Sequence, residues 1–171
     1  MKHALEHPED WSYDQVKTII SNIPDKQTKA MACLAYLTGA RVSELTQLTK
    51  DNIFIEEGYL KVRYVVLKKR KEKIPTRKVG ARLDEKWLVE PILLYLDELQ
   101  SDTLFSFHRI TIYTRLLKAT GFNPHGFRKL RATHLRKEYN FDSYQLKKFF
   151  RWSSVTPSEA YVGVDDRDIL Y

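Results

Sequence analysis

The chain has 171 residues, one of them a cysteine, and a formal net charge of +7 from 29 Lys and Arg against 22 Asp and Glu. A single cysteine excludes an internal disulfide and a cysteine-rich metal site, and no apolar run has the length that spans a membrane. The length is typical of one domain, and the positive charge favours an anionic partner such as nucleic acid, although a ribosome-associated or membrane-surface protein would share it.

The N-terminal residues 1–10 contain no apolar signal core, so we interpret them as a tail or linker ahead of one domain over residues 11–171. The missing signal also predicts a cytoplasmic protein. Ser12 stands three residues before Gln15, which is the spacing of a helix capping box, and an apolar stripe at helical spacing follows. The first helix is therefore predicted to begin after Ser12 and to end near Pro24.

The second helix is predicted to be the central buried one. Asp25 can cap its start, residues 30–37 are mostly apolar, and Gly39 ends it. Cys33 lies inside the apolar run, so we expect a small buried side chain and not a reactive thiol. A short helix over residues 42–48 follows, with its two leucines facing the core.

A β-hairpin is predicted next. Residues 53–55 are apolar, residues 59–67 alternate between apolar and polar side chains, and a turn at residues 56–58 separates the two segments. A basic tip over residues 68–71 separates this hairpin from a return strand that begins at residues 73–75. Together these segments predict one small antiparallel sheet.

The C-terminal half reads as a series of helices. Apolar residues recur at helical spacing within residues 84–99, 106–120, 124–137 and 142–150, and Pro157 begins a last short helix. The fold class predicted from these elements is α+β, mainly α-helical with a small antiparallel β-sheet.

Two stretches carry candidate chemistry. His125 and Arg128 lie one turn apart on the same side of a helix that Pro124 begins, and an imidazole beside a guanidinium at a helix start suits a phosphate. Such a pair is common and is also typical of a solvated helix turn. A second stretch lies far upstream, Thr38-Gly39-Ala40-Arg41-Val42-Ser43-Glu44-Leu45, and places Arg41 at the start of the short helix.

With both stretches in view, the chain resembles the catalytic domain of the tyrosine recombinases, the phage-type integrases and Xer-like recombinases. The Thr-Gly-x-Arg-x-x-Glu-Leu run matches the first arginine box of that family, and His125 with Arg128 matches its His-x-x-Arg box. Trp152 stands where the family has His or Trp, nine residues before Tyr161 at the position of the nucleophile. The resemblance covers roughly residues 10–165 and implies the tyrosine recombinase catalytic fold.

The resemblance implies that Arg41 and Arg128 neutralise charge on a DNA phosphodiester, since arginine stays protonated. His125 would donate to the phosphate or transfer a proton. Trp152 would donate its indole N–H to a phosphate oxygen, with a partly buried core tryptophan as the competing interpretation. Glu44, three residues after Arg41, is expected to support the arginine box. The family commonly has Gly at the position of Arg151, so the turn before Trp152 is expected to differ.

Tyr161 is the nucleophile that the resemblance implies, and its product is a 3′-phosphotyrosine that conserves the energy of the broken bond. Neither a cofactor nor a metal is expected. The leaving 5′-oxygen takes its proton from a lysine on the hairpin, where Lys68 fits best and Lys69 is the alternative. Tyr144 is expected to pack against the protein and the terminal Tyr171 to fray.

The expected partner is double-stranded DNA, bound by a homotetramer in the synaptic complex, with a monomer in its absence. Family members usually carry an N-terminal DNA-clamping domain, and residues 1–171 are not expected to include it. No membrane is expected, and the setting is the cytoplasm of a prokaryotic host, for a prokaryotic or a viral protein. Further DNA contacts are predicted at the basic residues Lys69, Arg70, Lys71, Lys73, Arg109 and Arg115.

Two alternative functions remain at this point. A type IB topoisomerase uses a similar set of residues, but the short chain and the Thr-Gly-x-Arg box favour a recombinase. A DNA-binding regulator could keep the fold without the chemistry, but the joint presence of Arg41, His125, Arg128 and Tyr161 favours an active enzyme.

Overall fold

The computed structural model describes residues 10–66, 76–152 and 157. In that part of the chain, helices surround one central helix, and a small sheet packs at one side. The helices are α1 (Tyr13–Ser21), α2 (Lys26–Thr38), α3 (Val42–Leu45), α4 (Lys86–Glu98), α5 (Arg109–Thr120), α6 (Pro124–Tyr139) and α7 (Ser143–Phe150), and the strands are β1 (Ile53–Glu56), β2 (Tyr59–Val65) and β3 (Thr76–Arg82).

The helix starts are fixed by the capping residues that the sequence predicts. The Ser12 amide donates to Gln15 Oε1 at 2.8 Å, and the Gln15 amide donates back to Ser12 Oγ at 3.1 Å. Asp25 accepts from the Thr28 amide at 2.9 Å. Each such bond satisfies an amide that has no partner within the helix, so these two helix starts are local properties of the sequence. Asn123 does the same for α6, which begins at Pro124.

Helix α2 is the core of the domain, as predicted. Residues 30–38 are all buried, and α1, α4, α5, α6 and β3 pack around them. Cys33 is fully buried, and burial raises the pKa of its thiol to about 12. Its Sγ lies 3.9 Å from the carbonyl of Trp87, which has no helical partner because Pro91 lacks an amide hydrogen. Pro91 lies in the second turn of α4.

The three strands form an antiparallel sheet in the order β1-β2-β3. Glu57 and Gly58 join β1 to β2 with positive φ angles of 55° and 81°, as a two-residue hairpin turn requires. In the β2–β3 register, Val62 lies opposite Val79 and Tyr64 lies opposite Arg77, all facing inward. Residues 67–75, which include the predicted basic tip, lie outside the described part of the chain.

Helix α3 is shorter than predicted, since it ends at Leu45 and not at residue 48, although Leu45 and Leu48 are both buried. Among the described residues, no helix combines the length and apolar character needed to cross a bilayer. Four helix ends meet on one side of the domain. They are the C-terminal end of α2, the starts of α3 and α6, and the end of α7.

Candidate active site

Arg41 is held at the start of α3 by Glu44. The Arg41 amide donates to Glu44 Oε1 at 2.8 Å, and the Arg41 guanidinium lies 3.6 Å from Glu44 Oε2. The Glu44 side chain is almost fully buried, whereas a third of the Arg41 side chain is exposed. The Glu44 carboxylate therefore fixes the Arg41 backbone and orients the Arg41 guanidinium from the buried side. This is the supporting geometry expected for the pair.

The turn between α2 and α3 brings the two sequence boxes together. Gly39 ends α2 with a φ of +59°, and Thr38 Oγ1 accepts from the Ala40 amide at 3.0 Å. This geometry directs the Gly39 carbonyl towards α6, where Arg128 Nη1 donates to it at 2.6 Å. Two arginines that are 87 positions apart in the chain are thereby anchored on one short turn.

Arg128 is buried, with 8% exposure. Its guanidinium carbon lies 4.7 Å from the centroid of the Phe150 ring, at cation–π distance. Burial, assisted by the charges of Arg77 and Arg41, lowers the pKa of Arg128 to about 10, so it stays protonated at neutral pH. Its Nη2 is buried without a hydrogen-bond partner among the described residues, which leaves one donor for an anion.

His125 lies on the exposed side of the same turn of α6. Partial burial of the ring lowers its pKa below 6.5, and the charges of Lys129, Arg128 and Arg41 lower it further. The ring is therefore neutral at pH 7, and an anion beside it would raise its pKa again. The effect of the Arg41 and Arg128 charges on the pKa of His125 indicates that the three side chains lie in one cluster.

The end of α7 adds Trp152 to this cluster. Arg151 has a φ of +56°, and the Trp152 amide donates to the Lys147 carbonyl at 3.0 Å, which closes the helix as a Schellman motif. The Trp152 ring stacks on Phe150, with 4.8 Å between centroids and 19° between planes. Arg151 thus adopts the left-handed conformation that glycine adopts most readily. Trp152 is half-buried, which agrees with the alternative interpretation of a partly buried core tryptophan. Its ring nevertheless stacks on Phe150, the same ring that lies against the Arg128 guanidinium.

Several predicted residues lie outside the described part of the chain, so their placement stays a prediction. These are Lys68, Lys69, Arg70, Lys71, Lys73 and Tyr161.

Two of the predicted DNA contacts are described and differ from each other. Arg109 is exposed at the first position of α5. Arg115 donates to Gln27 Oε1 at 2.7 Å and lies 4.5 Å from the Phe107 ring centroid, so its guanidinium packs between α5 and α2.

The packing predicted for Tyr144 is wrong, because its side chain is 74% exposed. Helix α7 buries Leu146 and Phe150. Tyr144 precedes Leu146 by two positions, roughly 200° around the helix, which turns it towards solvent.

Sequence reasoning missed two residues beside the cluster. Arg77 is buried at 3% exposure, and Phe150 lies within aromatic contact of Arg77, Arg128 and Trp152. The alternation along β3 indicates that Arg77 points inward, because it has the same phase along the strand as the apolar Val79. The described residues contain no group of three or more His, Cys, Asp or Glu side chains that could hold a metal.

The sequence matches the model of the phage integrase family over residues 11–167. It is 30% identical over 178 aligned positions to tyrosine recombinase XerD of Vibrio cholerae serotype O1, covering 92% of this chain and 57% of that protein. It is 33% identical over 154 positions to tyrosine recombinase XerD of Haemophilus ducreyi, covering 78% of this chain and 51% of that protein. The chain therefore spans about half the length of these curated relatives.

Solved structures of similar fold include XerA recombinase, with a TM-score of 0.72 and 22% identity, covering 98% of this chain and 64% of that one. The XerH site-specific recombinase bound to difH substrate also has a TM-score of 0.72, with 16% identity, 99% coverage of this chain and 52% of that one. At these identities the likeness concerns the fold, and it confirms the predicted α+β class.

Proposed function

The chain belongs to the phage integrase family, and we propose that it is the catalytic domain of a site-specific recombinase that cuts and rejoins duplex DNA through a phosphotyrosine intermediate. The relatives it matches are named tyrosine recombinases. Two neighbours in fold, the XerH recombinase and the Tn1549 transposon integrase, were solved with difH substrate and with circular intermediate DNA.

One contact carries the proposal, the hydrogen bond from Arg128 Nη1 to the Gly39 carbonyl. It joins the Thr-Gly-x-Arg stretch to the His-x-x-Arg stretch across the domain. Arg41 and Arg128 are consequently fixed relative to each other before any substrate arrives. A preorganised pair of guanidinium groups stabilises charge that develops on phosphate oxygens without reorganising in the reaction.

The proposed chemistry is a transesterification. Tyr161 gives up its hydroxyl proton, to neutral His125 or to water, as its oxygen attacks the phosphorus. The bond from phosphorus to the 5′-oxygen breaks, and that oxygen takes a proton from Lys68 or Lys69. Arg41 and Arg128 neutralise the non-bridging oxygens while His125 donates a hydrogen bond. The reverse reaction by another 5′-hydroxyl rejoins DNA and releases Tyr161, so no external energy source is required.

The proposed partner is duplex DNA, bound by four copies in a synaptic complex. The excess of seven positive charges supports binding to the phosphate backbone. Exposed Arg109 and the predicted basic tip would add contacts to phosphates away from the cleavage point.

The direct test uses a nicked suicide substrate, which loses a short fragment after cleavage and traps the covalent intermediate. The parent chain should form an adduct that survives denaturing electrophoresis, and Tyr161→Phe should bind the same DNA without forming it. Tyr144→Phe is the matched control, because Tyr144 is a solvent-exposed tyrosine in the same C-terminal part of the chain. An adduct in Tyr161→Phe would refute the assignment of the nucleophile.

Two other results would refute the proposal in different ways. No adduct from the parent chain with any suicide substrate would favour a DNA-binding regulator. Relaxation of a supercoiled plasmid that carries no paired recombination sites, at the rate seen with paired sites, would favour a topoisomerase.

A further inference from the structure

Arg77 has an unusual position for a strand arginine. It lies in β3 opposite Tyr64 and is buried at 3% exposure. Its Nη1 donates to the Tyr64 hydroxyl and its Nε donates to the carbonyl of Phe149. One side chain therefore ties the sheet to the last turn of α7.

The second of these bonds satisfies a carbonyl that the helix cannot satisfy. Phe149 is one residue from the end of α7, and the last four carbonyls of a helix have no partner within it. In the Schellman turn the Trp152 amide donates to the Lys147 carbonyl, and the Arg77 side chain donates to the Phe149 carbonyl. Arg77 thus completes the cap that determines where the chain leaves α7.

The aromatic rings at this cap connect Arg77 to the candidate active site. The Arg77 guanidinium lies 4.6 Å from the Phe149 centroid and 5.0 Å from the Phe150 centroid. Phe150 in turn contacts Arg128 at 4.7 Å and stacks on Trp152 at 4.8 Å. A shift of the end of α7 would therefore move the surface beneath Arg128 and the ring of Trp152 together.

The charge of Arg77 supports a role beyond packing. Burial lowers its pKa, and its Nη2 has no hydrogen-bond partner among the described residues. Arg77 also contributes to the lowered pKa of Arg128. Among the described residues the acceptors of Arg77 are a carbonyl and a hydroxyl and no carboxylate. A buried guanidinium held in this way is unfavourable compared with an apolar side chain of similar volume.

We propose that Arg77 is a positioning residue of the recombination site. It holds the end of α7 so that Phe150 supports Arg128 and Trp152 faces the same phosphate. The proposal rests on the function proposed above, and it also makes a structural claim that does not require activity. Arg77 itself, being buried, does not contact DNA.

The activity test compares Arg77→Lys and Arg77→Met with the parent in single-turnover cleavage of the suicide substrate at increasing enzyme concentration. The saturating rate should fall on the order of 10- to 100-fold, as expected when reacting groups are misplaced. The half-saturating concentration should stay near the parent value. Arg63→Met is the matched control, since it removes an exposed arginine from β2 without touching α7, and it should cleave like the parent.

The structural test uses the indole N–H signals of the three tryptophans in an NMR spectrum of the free protein. Arg77→Met should shift the Trp152 signal, because the Phe150 ring beneath it moves, and Arg63→Met should leave it in place. Tyr64→Phe, which removes one acceptor of Arg77 and keeps Phe149 bonded, provides a milder variant should Arg77→Met not fold. It should give a smaller shift and a smaller loss of rate.

The outcomes separate this proposal from the proposed function. An inactive parent would refute recombination, while a shifted Trp152 signal in Arg77→Met would still support the positioning claim. Parent-like cleavage by Arg77→Lys and Arg77→Met would overturn the proposal. So would slow cleavage with an unmoved Trp152 signal, or a loss confined to DNA binding.

Discussion

Replacing Gly39 by Ala tests the junction on which the candidate site depends. The φ of Gly39 is +59°, and a left-handed conformation costs an alanine about 1–2 kcal/mol. A Cβ at this position would also lie 2.7 Å from Phe150 Cε1, closer than real contacts allow. Moving a packed ring costs about 1–3 kcal/mol, so the free energy of unfolding should fall by about 2–5 kcal/mol. Denaturant titration would measure it.

Gly58→Ala is the control for Gly39→Ala. Its φ is +81°, yet a Cβ at Gly58 would meet nothing within 4 Å, so only the cost of the left-handed conformation remains. The difference between the two variants isolates the clash with Phe150. Because that clash would displace Phe150 from beneath Arg128, Gly39→Ala should also slow cleavage, whereas Gly58→Ala should not.

A double-mutant cycle with Phe150→Leu provides the decisive measurement. Leucine lacks the Cε1 atom, so Gly39→Ala should destabilise the Phe150→Leu background less than the parent, with a coupling energy of about 1–2 kcal/mol. Equal losses for Gly39→Ala and Gly58→Ala, with no coupling to Phe150, would refute the reasoning.

Arg128→Lys keeps the charge but loses the planar fork, so cleavage should fall by about 10²-fold or more at unchanged DNA affinity, and parent-like cleavage would exclude a phosphate clamp. Ala substitutions at Lys68 and Lys69 should identify the general acid: the variant that lacks it should cleave ordinary DNA slowly and a 5′-bridging phosphorothiolate at the parent rate, because a sulfur leaving group needs no proton. Since the pKa of His125 is lowered in the free protein and a phosphate raises it, DNA binding should take up a proton and tighten as pH falls below about 7. Calorimetry in buffers of different ionisation enthalpy would detect this uptake, and His125→Asn should abolish it. The same lowered pKa means that the folded state loses stability as pH falls below about 6.5, more so in the parent than in His125→Asn.

The sequence predicts those features that depend on neighbours along the chain. The caps at Ser12 and Asp25, the end of α2 at Gly39 and the hairpin turn at Glu57 all involve atoms within four residues of each other. Such signals need no knowledge of tertiary packing. The family resemblance adds the pairing of Arg41 with Glu44, which is likewise local.

The features that the sequence does not predict depend on packing between distant segments. The alternation along β3 places Arg77 on the inward side, but its contact with the Phe149 carbonyl depends on the placement of α7 on β3. That carbonyl is 72 positions away in the chain, and no periodic pattern contains the contact. The exposure of Tyr144 depends on which face of α7 meets the domain. Local propensity is compatible with either arrangement, and only tertiary packing decides between them.

The buried charges explain why this site lowers the stability of the free domain and why it suits a phosphate. Arg77, Arg128 and Arg131 are all buried, while Glu44 is the only buried carboxylate among the described residues. Aromatic faces such as that of Phe150 and backbone carbonyls offset part of this charge, yet an apolar core would be more stable. In the proposed reaction the missing negative charge arrives with the DNA, and it is greatest on the phosphate oxygens in the transition state. The surplus of buried positive charge that destabilises the free domain therefore stabilises the transition state more than the bound substrate. This difference is the condition for accelerating cleavage.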